Sequence, residues 1–173
     1  KIIFASRYSH DQFKKYFRRD YSLFVINHGI MPLPLETSPA EQNYEHLFNM
    51  NSFNFVFWGR VSRYKGVSFL VNVSKDFPII VAGKWDSDLK LERAMIESYG
   101  NMIDGYLSLS SVNTIMHSYK SIFVLPYLHA TQSGILYTLL AEEQVFVGAN
   151  VGDIGDFLTV NGLHNLVFNP NNL

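Results

Sequence analysis

The sequence predicts an α/β fold, a Rossmann-like, doubly wound parallel sheet, and three observations favour it. Short apolar runs rich in β-branched and aromatic residues recur along the chain, and most are followed by apolar residues at helical spacing. Glycine directly follows two of these runs, at Gly59 and Gly83. Apolar residues make up 47% of the 173 positions, which is enough for one well-packed core. Strands that alternate with helices in this way are typical of βαβ units.

The first part of the chain is less regular than the rest. Residues 1–5 and 22–26 are predicted strands, and the capping-box pattern Ser9-His-Asp-Gln12 predicts the start of the helix between them. An extended, helix-incompatible stretch, Met31-Pro-Leu-Pro34, follows. We therefore predict that residues 1–51 hold the end of one domain and the connector to the next.

From residue 52 the alternation is regular, and residues 52–173 are predicted to form a second domain. Its predicted strands are residues 53–58, 78–82, 101–104, 121–125, 144–148 and 165–168. Its predicted helices are residues 65–75, 87–99, 110–119, 132–143 and 153–159. Connections that lead from strand to helix to parallel strand place the helices on both faces of one sheet.

Charge and composition exclude several classes of function. The 14 Lys and Arg residues nearly balance the 15 Asp and Glu residues, so no overall positive field favours nucleic acid as a partner. Cysteine is absent, which excludes disulfides and thiolate metal sites and is compatible with a cytoplasmic location. No run of about 18 apolar residues predicts a membrane span. The chain begins in a strand-like run without an initiator Met, so it is expected to be a piece of a longer protein.

The first loop of the second domain is the strongest candidate for a binding site. Gly59 ends the apolar strand, three cations follow at Arg60, Arg63 and Lys65, and Gly66 opens the next helical pattern. Because a helix N-terminus directs unpaired N–H groups and partial positive charge at such a loop, this unit can bind a phosphate or a diphosphate. A solvated basic turn is the alternative interpretation.

Three further loops follow predicted strands and are expected at the same edge of the sheet. They are Gly83-Lys-Trp-Asp86, Asp104-Gly-Tyr-Leu-Ser108 and Pro126-Tyr-Leu-His-Ala-Thr-Gln-Ser-Gly134. The last is rich in hydroxyl groups and runs into a helix start, which offers a second set of N–H donors for an anion. In sheets of this type ligands bind outside the carboxyl ends of the strands, so the loops together predict a nucleotide site.

At these loops the sequence resembles the GT-B glycosyltransferases of the family 4 type, in their C-terminal nucleotide-sugar-binding half. Five motifs carry the resemblance: Phe57-Trp-Gly-Arg-Val-Ser-Arg-Tyr-Lys-Gly66, Ile79-Ile-Val-Ala-Gly83, Asp104-Gly-Tyr-Leu-Ser108, Tyr127-Leu-His-Ala-Thr-Gln-Ser-Gly134 and Asn150-Val-Gly-Asp-Ile-Gly-Asp156. They occur in the family's order, each at a predicted strand end. Residues 1–30 resemble the end of the family's N-terminal half, where His28-Gly-Ile30 leads into the linker.

The resemblance implies an activity and a set of roles. The full enzyme would transfer a hexose or N-acetylhexosamine, with retention of configuration, from a nucleotide diphosphate sugar to a lipid-linked glycan in O-antigen or capsule biosynthesis. UDP is the favoured donor nucleotide and GDP the second, and no metal or other cofactor is expected. Arg60 and Lys65 would be catalytic, because they would stabilise charge that develops on the leaving diphosphate. The implied donor-binding residues are Gly59, Gly83, Tyr106, Leu107, His129, Thr131, Gln132, Ser133, Gly134 and Thr138.

The sequence also departs from the family's pattern. The family often carries two glutamates, eight positions apart, that contact the donor sugar and the ribose, and this chain has Ala130 and Thr138 there. Glu143-Gln-Val145 replaces the usual Gly-x-Pro after that helix. Two alternatives therefore stay open: a GT-B nucleotide-sugar epimerase, and a non-catalytic assembly protein that keeps the fold. Any peripheral membrane association or acceptor site is expected in the N-terminal half, and this chain by itself is expected to be inactive.

Overall fold

The computed structural model describes residues 1–17, 21–26, 29–30, 32–34 and 44–170. The predicted motif residue His28, the residue Met31 and much of the predicted connector lie outside the described residues. The strands are β1 (Ile2–Phe4), β2 (Leu23–Val25), β3 (Asn54–Trp58), β4 (Ile79–Gly83), β5 (Asn101–Asp104), β6 (Ser121–Leu125), β7 (Phe146–Ala149) and β8 (Val167–Phe168). The helices are α1 (Arg7–Tyr16), α2 (Val67–Val73), α3 (Lys90–Tyr99), α4 (Leu109–His117), α5 (Gly134–Ala141) and α6 (Gly152–Val160). Short 3-10 turns lie at Glu45–Leu47, Arg63–Lys65 and His164–Leu166.

Six strands form one parallel sheet in the order β5-β4-β3-β6-β7-β8. Along the chain, β4 and β5 are added on one side of β3, and β6, β7 and β8 are added on its other side. β3 and β6 are therefore neighbours at the point where the strand order reverses, and the loops that follow them flank the same crevice. The predicted fold class, a Rossmann-like doubly wound parallel sheet, is confirmed.

The sheet is buried on both faces, as its sequence predicts. Every residue of β4 is buried, and Phe57 of β3 and Leu125 of β6 are almost completely shielded from solvent. Apolar residues from α2, α4, α5 and α6 complete this core. The continuous apolar runs were therefore good indicators, because a central parallel strand has no solvent-facing side that would require polar residues.

The N-terminal residues form a separate small unit in which β1 pairs in parallel with β2 and α1 connects them. The predicted capping box at Ser9 is wrong by three positions. Ser6 is the N-cap of α1, and its hydroxyl accepts a hydrogen bond from the Ser9 N–H at 3.1 Å. Serine is a favourable N-cap residue at either position. The hydrogen bond from the N–H three residues later identifies Ser6 as the residue that caps α1.

Several other predicted helix limits shift for similar reasons. α4 is capped by Ser108 instead of starting on Ser110, and α5 is capped by Ser133 and covers less than the predicted 132–143. The predicted helix 65–75 is a 3-10 turn followed by the shorter α2, because Gly66 adopts a left-handed conformation between them. α3 starts at Lys90, since the residues before it form a turn in which the N–H of Leu89 donates to the Asp86 carbonyl. The predicted domain division at residue 51 stays a prediction.

Candidate functional site

The loops after β3 and β6 are joined to each other at the switch point of the sheet. The N–H of Leu128 donates to the carbonyl of Tyr64 at 2.8 Å. Gly66 has a φ of +77°, and a Cβ at this position would overlap the carbonyl of Pro126. Glycine at 66 is therefore required both for its backbone conformation and for the close approach of the two loops.

A cavity of about 490 Å³ opens between these two loops. Its lining residues come from the end of the first loop and from the second loop through the first turn of α5: Tyr64, Lys65, Tyr127, His129, Ala130, Thr131, Gln132, Ser133, Gly134 and Ile135. The structure thus brings together six of the predicted site residues, namely Lys65, His129, Thr131, Gln132, Ser133 and Gly134.

Lys65 supplies the positive charge of this cavity. Its ammonium group lies over the ring of Tyr127, 5.2 Å from the ring centroid. Burial lowers the pKa of Lys65, and the nearby charge of Arg60 lowers it further. A cation held against an aromatic face, partly away from water, interacts more strongly with an anionic ligand than an exposed lysine does.

The first turn of α5 supplies backbone donors to the same cavity. Ser133 is buried, and its hydroxyl accepts from the N–H of Leu136 at 3.3 Å, which leaves the N–H groups of Gly134 and Ile135 without a partner inside the helix. Burial raises the pKa of Tyr127 to about 12, although a hydrogen bond with Ser133 opposes that shift. Tyr127 is therefore a neutral phenol at physiological pH, and it does not compete with an anion for Lys65.

Arg60 lies outside this lining and is occupied by another group. Its Nε donates to Oδ1 of Asp86 at 2.7 Å, and this bond is the first cause of its raised pKa. The loops after β3 and β4 run side by side, because Val61 exchanges hydrogen bonds with Lys84 and Asp86. This pairing places Asp86 next to Arg60. The guanidinium is 69% exposed, so it can reorient toward a ligand in the neighbouring cavity.

The remaining predicted site residues have different surroundings. Gly59 lies at the cavity edge, where a Cβ would be 3.3 Å from the Lys65 ammonium, and Gly83 packs against the Gly59 carbonyl. Tyr106 is 90% exposed, and Leu107 packs partly against the core. The hydroxyl of Thr138 donates to the Gly134 carbonyl one turn earlier in α5 at 3.1 Å. None of these five residues is among those that line the cavity in the described part of the chain.

Sequence reasoning assigned no role to Tyr64, Tyr127 or Asp86. Tyr64 and Tyr127 lie within the quoted motifs, but nothing in a sequence indicates which aromatic side chain will meet the lysine of another loop. Asp86 could have been found from its position at the end of a predicted loop, because that loop follows the next strand after the run of cations. The pairing of the two loops beyond their strands is what turns that proximity into an ion pair.

The described residues contain neither a metal-binding cluster nor a membrane-spanning helix. No group of three or more His, Asp or Glu side chains is arranged to hold a metal ion in ranges 1–17, 21–26, 29–30, 32–34 and 44–170. Within the same ranges, none of the helices has the length and hydrophobicity needed to cross a bilayer.

Comparison with known proteins supports the fold through a structural likeness at low sequence identity. No protein-family model matches the sequence, and no curated protein matches it. Among solved structures, the chain is similar to a sucrose-phosphate synthase from Thermosynechococcus elongatus, a GT-B glycosyltransferase, with a TM-score of 0.72 and 14% sequence identity. The match covers 98% of this chain and 45% of the synthase, so the chain spans less than half the length of that protein. At this identity the likeness shows the fold alone, and that fold is the one found in a GT-B glycosyltransferase.

Proposed function

We propose that this chain carries the nucleotide-sugar donor site of a glycosyltransferase. One observation carries the proposal: a partly buried lysine and the first turn of a helix converge on one cavity at the switch point of a Rossmann-like sheet. Lys65 and the N–H groups of Gly134 and Ile135 are the kind of donors that a diphosphate accepts. The likeness in fold to a glycosyltransferase supports the same class of reaction.

In this proposal the diphosphate is the leaving group of the transfer. Negative charge grows on it as its bond to the sugar breaks, and preorganised donors in a partly water-excluded site stabilise that charge. The position of Lys65 in the cavity lining supports this role. Arg60 would join it by exchanging Asp86 for the diphosphate, since its exposed side chain leaves room for the movement.

The sugar and the nucleoside would be recognised without the usual pair of glutamates. Ala130 is in the cavity lining, and the Thr138 hydroxyl is bonded within its own helix. The polar groups of His129, Thr131 and Gln132 line the same cavity and are exposed. These groups can hydrogen-bond sugar hydroxyls, and Gly83, Tyr106 and Leu107 would then border the base.

The finer assignments form part of the same proposal. The donor is a UDP-sugar, or in second place a GDP-sugar, that carries a hexose or N-acetylhexosamine. The acceptor is a lipid-linked glycan in surface polysaccharide biosynthesis, bound through the other half of the enzyme, and the configuration of the sugar is retained. No metal cofactor is expected, because Lys65, Arg60 and the backbone donors would together stabilise the charge of the diphosphate.

A calorimetric titration of this chain with UDP, GDP and their common sugars tests the proposal. We expect one of the nucleotides to bind and to raise the melting temperature, because a ligand that binds only the folded state stabilises it. ATP and inorganic phosphate serve as comparisons. If neither UDP nor GDP binds to the chain or to the full-length protein, the donor-site proposal is wrong.

A non-catalytic assembly protein is the second candidate, and the Arg60–Asp86 ion pair favours it. In that case one of the two predicted catalytic cations serves to hold two loops together. Alanine at both Arg60 and Lys65 in the full-length protein separates the candidates: glycan assembly stops if the protein is the enzyme and continues if it is a scaffold. The epimerase alternative is less favoured, since no carboxylate is among the described residues that line the cavity.

Replacing Asp86 by asparagine should strengthen nucleotide binding. The substitution removes the negative charge that holds Arg60, so we expect about two- to fivefold tighter UDP or GDP binding at low salt and a smaller gain at high salt. Asp88→Asn is the matched control, because Asp88 pairs with Arg63 at 3.1 Å on the same loop. Equal effects of the two variants would mean that only overall charge matters and that Arg60 does not reach the nucleotide.

A further inference from the structure

The N-terminal unit is attached to the proposed donor loop by two serine hydroxyls. The Ser6 hydroxyl, 2% exposed, donates to the carbonyl of Thr131 at 2.7 Å. The Ser9 hydroxyl lies 3.3 Å from the same carbonyl. These residues are 125 and 122 positions from Thr131 in the sequence, so the contact joins two distant parts of the chain.

The contact lies at the part of the loop that shapes the cavity. Ala130 and Thr131 are adjacent lining residues, and the carbonyl groups of both accept hydrogen bonds from other parts of the chain. The N–H of Asp153, in the first turn of α6, donates to the Ala130 carbonyl at 3.1 Å. Ser6 and Ser9 hold the Thr131 carbonyl. The orientation of these two peptide groups constrains the backbone of the residues that follow, and so the direction of the N–H groups of Gly134 and Ile135.

The remaining hydrogen bonds of this loop do not replace the serine contact. Leu128 is tied to Tyr64, and Ser133 caps α5, so the loop is fixed near both of its ends. Between those ends, Thr131 and Gln132 are exposed and line the cavity. Ser6 is therefore the buried contact that orders the exposed middle of the loop from outside.

We propose that Ser6, with support from Ser9, is a positioning residue for nucleotide-sugar binding, which acts through the Thr131 carbonyl and couples the N-terminal unit to the donor loop. The inference rests on the proposed function for its effect on ligand affinity. The expected effect of Ser6 on the loop is independent of the proposed function, because the ordering of residues 128–134 can be measured without any ligand.

Ser6 has a second role that the test must separate from the first. Its hydroxyl also caps α1, by accepting the N–H of Ser9. Glycine is a tolerated N-cap, so Ser6→Gly removes the bond to Thr131 while α1 stays formed. Ser6→Thr keeps a hydroxyl for both roles. Ser9→Ala removes the hydroxyl that lies 3.3 Å from the Thr131 carbonyl and 3.0 Å from the Ser6 hydroxyl, and alanine within a helix does not weaken α1.

The experiment measures hydrogen exchange and nucleotide affinity in the same set of variants. In Ser6→Gly we expect amide exchange in residues 128–134 to become about three- to tenfold faster, while β3 and β4 keep their protection. We also expect UDP or GDP, whichever binds the unmodified chain, to bind Ser6→Gly about three- to tenfold more weakly. Ser9→Ala should show a smaller change in the same direction, and Ser6→Thr should restore both values.

The possible outcomes separate the two proposals. Unchanged exchange in residues 128–134 of Ser6→Gly would overturn the positioning inference, whatever the affinity. Faster exchange together with unchanged affinity would overturn it as well, since loss of order in the loop would then have no effect on ligand binding. If neither UDP nor GDP binds any variant, including the unmodified chain, the donor-site proposal fails, and the exchange measurement alone decides whether Ser6 orders the loop.

Discussion

Replacing Lys65 by methionine is expected to reduce UDP or GDP affinity by about 10- to 100-fold. A hydrogen bond to a charged group contributes about 1.5–3 kcal/mol, and the partial burial of Lys65 reduces the screening of its charge by water. Methionine has a similar length and can still pack on the ring of Tyr127, so the cavity wall is retained while the charge is lost. Isothermal titration calorimetry measures the change directly.

Lys75→Met is the matched control for this substitution. Lys75 follows the C-terminal end of α2 and is not among the residues that line the cavity, and its ammonium donates to Oδ1 of Asn72 at 3.4 Å. We expect its affinity to stay within about twofold of the unmodified chain. A loss of affinity in Lys75→Met as large as that in Lys65→Met would show that the ligand responds to net charge and not to the cavity.

The same lysine predicts a pH dependence of binding. Its pKa is lowered by burial first and by Arg60 second, so its ammonium form is lost at a lower pH than that of an exposed lysine. Binding that needs the ammonium is fully present below this pKa and decreases as pH rises through it. A bound diphosphate favours the charged form and raises the pKa, which extends binding upward in pH. In Lys65→Arg the alkaline loss should disappear, because arginine stays charged.

Replacing Gly66 by alanine is expected to destabilise the protein by about 3–5 kcal/mol, from a left-handed conformation and from steric overlap together. A methyl group at this position would overlap the carbonyl of Pro126, which is backbone and cannot rotate away. To relieve the overlap, the loops after β3 and β6 must separate at the cavity that they form. Chemical denaturation measures the loss, and the melting temperature should fall by about 2–4 °C per kcal/mol.

Gly162→Ala is a closely matched control for Gly66→Ala. Gly162 has a φ of +73°, against +77° at Gly66, but no atom lies within 4 Å of the position where its Cβ would be. Its substitution should destabilise the protein only by the cost of the left-handed conformation, about 1–2 kcal/mol. If the two alanine variants are equally stable, the contact between Gly66 and Pro126 does not contribute to holding the loops together.

The sequence predicted the architecture well because a parallel sheet buries its strands on both faces. Continuous apolar runs such as those of β4 and β6 have few other structural interpretations, and their alternation with helices restricts the connections. The helix limits were predicted less well. At α1 and α4 a serine lay within a few positions of another serine, and only the geometry of the cap selects between them.

The candidate site was likewise predicted only in part. Local pattern was enough to bring Lys65 and residues 129–134 into consideration, because they lie in loops that directly follow strands. It did not predict that Arg60 would be paired with Asp86, since that contact depends on how two loops continue side by side beyond the sheet. Nor did it predict a function for Ser6.

By itself, the sequence determined the parallel sheet, the edge at which its loops gather and the cations and helix starts that those loops contain. These features depend on residue type and on short spacings, which a linear chain displays directly. Only the tertiary structure decided which cation enters the cavity, which one is held by a carboxylate and which distant serine holds the loop. Those outcomes depend on contacts between residues up to 125 positions apart, whose geometry is set by the packing of the whole sheet.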